Sequence, residues 1–153
     1  MAGYSNQKVF ILYEDEHLLV VKKPFGMESQ RGKSFAMDQE SLLRGYLSSK
    51  TKTDNPYLAV VHRLDRPVAG VMVYAKTKKA AADLSAQLQT ENFSKKYEAV
   101  VSGIVPACEG RLEDYLTADK RTGTTSVSSK ADPLAKKAVL TWKEIAREEV
   151  KSG

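Results

Sequence analysis

Apolar positions along this chain fall into short runs, and the polar residues between them mark turns more often than helix faces. Two runs, Val9–Tyr13 and His17–Val21, flank the acidic Glu14-Asp15-Glu16, and Pro24 with Gly26 ends the second. Apolar runs joined by a short polar link fold back on one another, so a β-hairpin is predicted, followed by a loop over 25–37. Leu42, Leu43, Tyr46 and Leu47 recur at helical spacing, with Asp38 placed as N-cap and Glu40 in the first turn. Residues 51–57, "TKTDNPY", read as a connection. Leu58–His62 then reads as a strand aimed at the charged cluster Arg63-Leu64-Asp65-Arg66. Past Gly70, "VMVYAK" lacks alternation, which predicts a strand buried on both faces. Thr77 can cap a second helix running to about Glu91. Its apolar stripe of Ala81, Leu84 and Leu88 opposes Lys78, Lys79, Asp83 and Gln87.

Downstream, "KKYEAVVSG" (95–103) predicts a strand ended by Gly103. Two short strands follow around a Lys120–Gly123 turn, and "KKAVLTWKEIARE" alternates well enough for a long one. Strands and helices mix without a regular βαβ repeat, so the fold class is α+β. No internal repeat or clear boundary divides the chain, and a single domain over 1–153 is expected. That length is enough to bury a core.

Composition narrows the class. A 42% apolar and 28% charged chain belongs with globular proteins. The lone Cys108 excludes internal disulfides and a cysteine-based zinc site, and suits a reducing cytoplasm. The opening "MAGYSNQKVF" lacks the basic-then-apolar order of a secretory signal. No apolar run approaches the roughly 20 residues of a membrane helix, so no membrane partner is expected. The net charge is +5, and basic pairs recur at Lys22-Lys23, Lys78-Lys79, Lys95-Lys96, Lys120-Arg121 and Lys136-Lys137. Such pairs can track a phosphate backbone or simply solvate the ends of strands and helices.

Few residues qualify for chemistry. "GMESQRGKS" (26–34) ends like a phosphate-binding loop, but five residues separate its glycines where the motif needs four. His62 and Asp65 make a possible metal pair, yet His17 is the only other histidine and no third ligand stands at a recognisable spacing. A metal is therefore not expected. No G-x-S-x-G elbow occurs, and Cys108 has no base near it in sequence. Asp65 remains. Arginines on either side can keep it ionised, which suits a nucleophile or base; an Arg–Asp ion pair closing a turn fits the same letters.

The wider stretch "HRLDRPVAGVMVYAKT" resembles the signature of the RluA-type pseudouridine synthases, H-R-L-D-[RK]-x-[TV]-S-G followed by an apolar strand ending in Ala-Lys. "ILYEDEHLLVVKKPFGM" is similar to that family's opening hairpin with its Lys-Pro-x-Gly loop, and "KKYEAVVSG" to its K-x-Y-x-A-x-V-x-G strand. The resemblance implies the family's catalytic fold, a mixed and largely antiparallel sheet with flanking helices. It implies that Asp65 attacks the target uridine, that Arg63 displaces that uridine and fills its place, and that Tyr97 lies against the flipped base. His62 and Leu64 would support the strand. No metal or organic cofactor is implied, and the implied partner is structured rRNA or tRNA; a cytoplasmic monomer is expected. The chemistry suits these residue types. Uracil must leave its stack before the N1–C1′ bond breaks and C5 joins C1′, at a cost of about a few kcal/mol. An aromatic face returns roughly 1–3 kcal/mol of stacking.

Three features depart from the family pattern. Ala69 stands where the signature has serine, forgoing about 0.5–1.5 kcal/mol if that hydroxyl is hydrogen-bonded. The later T-G-R-x-H-Q-I-R motif, whose first basic residue pairs with the catalytic aspartate, has no match before the final "REEVKSG". The sequence opens at the hairpin, and no S4 domain is expected. The expectation is the N-terminal and central part of a catalytic domain, with a non-catalytic RNA-binding remnant of the same fold as the alternative. An Asp-nucleophile glycosidase would need a second carboxylate, and no motif nominates one.

Overall fold

The hairpin forms where the apolar runs predict it. In the computed structural model, which describes residues 9–32, 37–90, 93–105, 107–119 and 121–148, β1 (Phe10–Glu14) and β2 (Leu18–Lys23) pair antiparallel. Asp15 closes the link, its Oδ1 accepting the N–H groups of His17 at 2.7 Å and Leu18 at 2.6 Å, an Asx turn. Expectations resting on Lys33-Ser34, Glu91 and Lys120 lie outside the described residues. The chain divides into two compact units, Met1–Tyr97 and Glu98–Gly153.

In the first unit, Asp38 caps α1 (Gln39–Thr51) by accepting the Ser41 N–H at 2.9 Å. After the connection come β3 (Ala59–Val60) and β4 (Gly70–Ala75), giving an antiparallel sheet in the order β1-β2-β4-β3. Thr77 caps α2 (Lys78–Gln87) through the Ala80 N–H at 3.2 Å. Period-two alternation turns Leu19 and Val21 of β2 and Met72 and Tyr74 of β4 inward, where they meet Leu43, Leu47 and Leu58. Burial of each such side chain stabilises the fold by about 1.5–3 kcal/mol.

In the second unit, β5 (Glu109–Ala118) is central, with β6 (Thr125–Ser128) on one side and β7 (Lys136–Lys143) on the other. Gly123, at φ 73°, supplies the left-handed step in the β5–β6 turn, where its N–H reaches the Asp119 carbonyl at 2.8 Å.

Four expectations need correction. The strand predicted over 58–62 shrinks to Ala59–Val60, because the chain leaves β4 there. β4 is not buried on both faces: Val71 is 59% exposed while Met72 and Tyr74 are buried. The predicted strand 95–103 has no ladder among the described residues, since an extended segment becomes a strand only beside a partner. The first of the two strands around the 120–123 turn is also not short, since β7 runs along the length of β5.

Candidate active site

Two loops meet at one end of the first sheet. The first leaves β2 at Pro24, and the second carries the chain from β3 to β4. Gly26, at φ 81°, turns its peptide so that its N–H donates to the Arg66 carbonyl at 2.9 Å. Its own carbonyl accepts Arg66 Nε at 3.0 Å. Ser29 is buried; its Oγ donates to the Leu64 carbonyl at 2.5 Å and accepts the Leu64 N–H at 3.0 Å. Tyr74 reaches across from β4, its hydroxyl donating to the Ser29 carbonyl at 3.1 Å, and burial pushes that hydroxyl's pKa up. Gly70 matters here too. A Cβ on it would come within 3.1 Å of Leu64 Cδ1, so the glycine of the signature gives Leu64 its seat.

Lys23 lies beneath both loops with no exposed surface. Its Nζ donates to the carbonyls of Met27 at 2.6 Å, Pro24 at 3.1 Å and Arg66 at 3.5 Å. Burial lowers its pKa, and the nearby Asp65 charge pulls partly the other way. Half-buried His62 accepts the Val73 N–H on Nε2 at 3.0 Å. Burial, and then the charge of Lys95, hold its pKa below the usual imidazole value. The second loop closes with a turn in which the Asp65 carbonyl accepts the Val68 N–H at 3.0 Å.

A cleft of about 620 Å³ opens beside these loops, a size typical of small-ligand sites. Arg31, Arg63, Arg66 and Lys95 line it, against the carboxylates of Glu28 and Asp65. The excess of cations raises the local concentration of an anionic ligand. Asp65 is exposed within it, and among the described residues its carboxylate makes no hydrogen bond or ion pair. The ion-pair reading of the cluster is thus corrected: Arg66 is drawn off to the Gly26 carbonyl, and Arg63 stays open to the cleft. Among the described residues no three His, Cys, Asp or Glu side chains gather as a metal site.

Asp65 and Arg63 therefore share one cleft. Tyr97 does not line it; the residue is 62% exposed, two residues beyond Lys95. Of the basic pair Lys22-Lys23, only Lys22 faces solvent, so Lys23 is unavailable to a phosphate. The alternation Leu19, Val21, Lys23 along β2 already carried that signal. Nothing local in the sequence marks Ser29 or Arg31.

Comparison with known proteins bears on this cleft. The family model described as RNA pseudouridylate synthase matches residues 17–152. The chain is 41% identical over 96 residues to ribosomal large subunit pseudouridine synthase D of Pseudomonas aeruginosa, covering 62% of this chain and 29% of that protein. It is 31% identical over 140 residues to tRNA pseudouridine synthase C of Yersinia pestis, covering 92% of this chain and 52% of that protein. To the dual-specificity RNA pseudouridine synthase RluA of Vibrio vulnificus it is 38% identical over 109 residues, 71% of this chain and 41% of the other. The chain thus spans between about a third and a half of these relatives' lengths. In fold it is similar to the human RNA pseudouridylate synthase domain containing 4 protein, with a TM-score of 0.67 at 24% identity over 85% of this chain and 51% of that one. With the signature residues gathered around one cleft and the family's pattern running from the hairpin to β7, the chain belongs to the RluA-type RNA pseudouridylate synthase family.

Proposed function

We propose that this chain isomerises uridine to pseudouridine in structured RNA, with Asp65 as the catalytic carboxylate. The observation that carries the reading is the Asp65 side chain, exposed and unpaired among the described residues within a cleft of four cationic side chains. A carboxylate kept apart from flanking arginines is available to a substrate, and cations around it suit the phosphates of an RNA strand. Arg63 fills the place of the extruded base. Tyr97, close to Lys95 in sequence and open to solvent, supplies the face on which that base stacks. The relatives' names include a ribosomal large subunit and a tRNA enzyme, which supports rRNA or tRNA as the substrate class. Both compact units act within one catalytic domain, as a monomer in the cytoplasm, in keeping with the single cysteine. Among the described residues, no helix is long and apolar enough to cross a membrane.

The test is release of tritium from RNA carrying 5-tritiated uridine, because C5 gives up its hydrogen when it joins C1′. Asp65→Asn is expected to abolish release while RNA affinity stays essentially unchanged. Release at the wild-type rate would remove Asp65 from the chemistry. A wild-type chain that binds RNA without releasing tritium would replace this reading with the non-catalytic one.

A further inference from the structure

The Asp65 turn is held by side chains where a sheet would be held by strands. Beyond Val60, which pairs with Tyr74, antiparallel register would next set Val61 against Val73. The ladder stops instead, and the Val73 N–H goes to the imidazole of His62. A strand that peels away leaves its neighbour's donors unpaired, and a buried unpaired N–H is costly. The His62 ring takes the place of the missing carbonyl, so the chain can depart from β4 without that cost. It accepts only when neutral, and its half-buried site beside Lys95 favours that form.

Ser29 makes a matching substitution two residues later. One hydroxyl both accepts from and donates to the backbone of Leu64, the pair of bonds that a neighbouring strand residue would supply. On the other side of Asp65, the Arg66 carbonyl is fixed by Gly26. Asp65 thus projects from between two fastened peptide units, while its own carboxylate stays free among the described residues. Reacting groups have to be held within about 0.5 Å of the productive geometry, by neighbours that are themselves fixed.

We propose that Ser29 and His62 are positioning residues for Asp65, standing in for the strand pairing that the chain gives up after Val60. The inference rests on the reading of Asp65 given above.

Two readouts on the whole chain test it. In amide hydrogen exchange followed by NMR, Ser29→Ala should speed exchange at Leu64 by about tenfold or more and leave Val73 unchanged. His62→Leu should do the reverse. His62→Gln, whose amide oxygen can accept the same N–H, should restore protection at Val73, and it keeps the position readable if the leucine variant fails to fold. In single-turnover tritium release, Ser29→Ala and His62→Leu should lose rate by about tenfold with RNA affinity unchanged, and His62→Gln should recover most of it. Unchanged exchange at Leu64 and Val73, or faster exchange with an undiminished rate, overturns the positioning role while the proposed function stands. A wild-type chain without isomerisation overturns the catalytic reading of Asp65 itself, and with it the inference.

Discussion

The two compact units are both built on antiparallel sheets, yet among the described residues only one of them has an interior. Every fully buried apolar side chain among the described residues, from Leu19 to Ala75, belongs to the first unit. There α1 lays Leu43 and Leu47 among the inward residues of β2 and β4. In the second unit Leu112 faces Leu140 across β5 and β7, and Val127 faces Leu116, but Leu112, Leu140 and Val127 are each more than half exposed. The β5–β7 ladder is longer than any single ladder of the first sheet, yet among the described residues it encloses nothing. Backbone pairing exchanges bonds to water for bonds to the chain at small net gain. Apolar burial is what makes one of these sheets a stable body.

Substitutions on either side of the contrast measure it. The largest effect is expected from Leu43→Ala, a cavity in the only enclosed core among the described residues, at about 2–5 kcal/mol by urea unfolding. A loss well under that range would mean the first unit is as open as the second. Next comes Glu14→Gln. The Glu14 carboxylate accepts from Tyr46, Lys50 and Lys76, each at 2.8 Å, tying β1 to α1 and to the end of β4. Burial pushes its pKa up, but these bonds outweigh that and bring it down to about 2 from 4.5. The unfolded chain therefore binds the proton more readily than the folded one. The stabilisation is fully present above about pH 4.5 and disappears as the pH falls through about 2, and at neutral pH it contributes roughly 1–3 kcal/mol, discounted for the half-exposed Lys50. Acid titrations of wild type and Glu14→Gln should converge at low pH; parallel curves would remove Glu14 as the cause. In the second unit Glu113 is likewise lowered, first by its hydrogen bond from Lys137, but it lies open to water. The smallest effect is expected from Leu140→Ala, under about 1 kcal/mol. A cost like that of Leu43→Ala would show this face to be covered in solution.

What the sequence disclosed divides along the same physical line. Features fixed by neighbours within a few residues were legible: the Glu14–Glu16 hairpin, and the caps at Asp38 and Thr77, which each bind an N–H three residues on. The Asp65 cluster was visible as four letters, though whether its arginines would seize the carboxylate was not, because Gly26 lies forty residues from Arg66. The strand over 95–103 was misread for the converse reason, since its local pattern is sound and its partner is a non-local matter. Ser29 gave no local sign of meeting Leu64, thirty-five residues on. Lys23 was a different kind of miss. Counted as a surface basic pair with Lys22, it followed the strand's alternation into the interior, where three carbonyls receive it.

The extended segment after Lys95 has a consequence for how the chain behaves in company. From Tyr97 to Ile104 no backbone N–H or C=O has a backbone partner among the described residues, and Val100, Val101 and Ile104 stand open to water. A row of free donors and acceptors flanked by β-branched side chains is a template for the same row in another copy. The net charge of +5 slows the approach of two such molecules, but it occupies none of those groups. A single charge introduced among these residues would blunt that template where the net charge does not reach it.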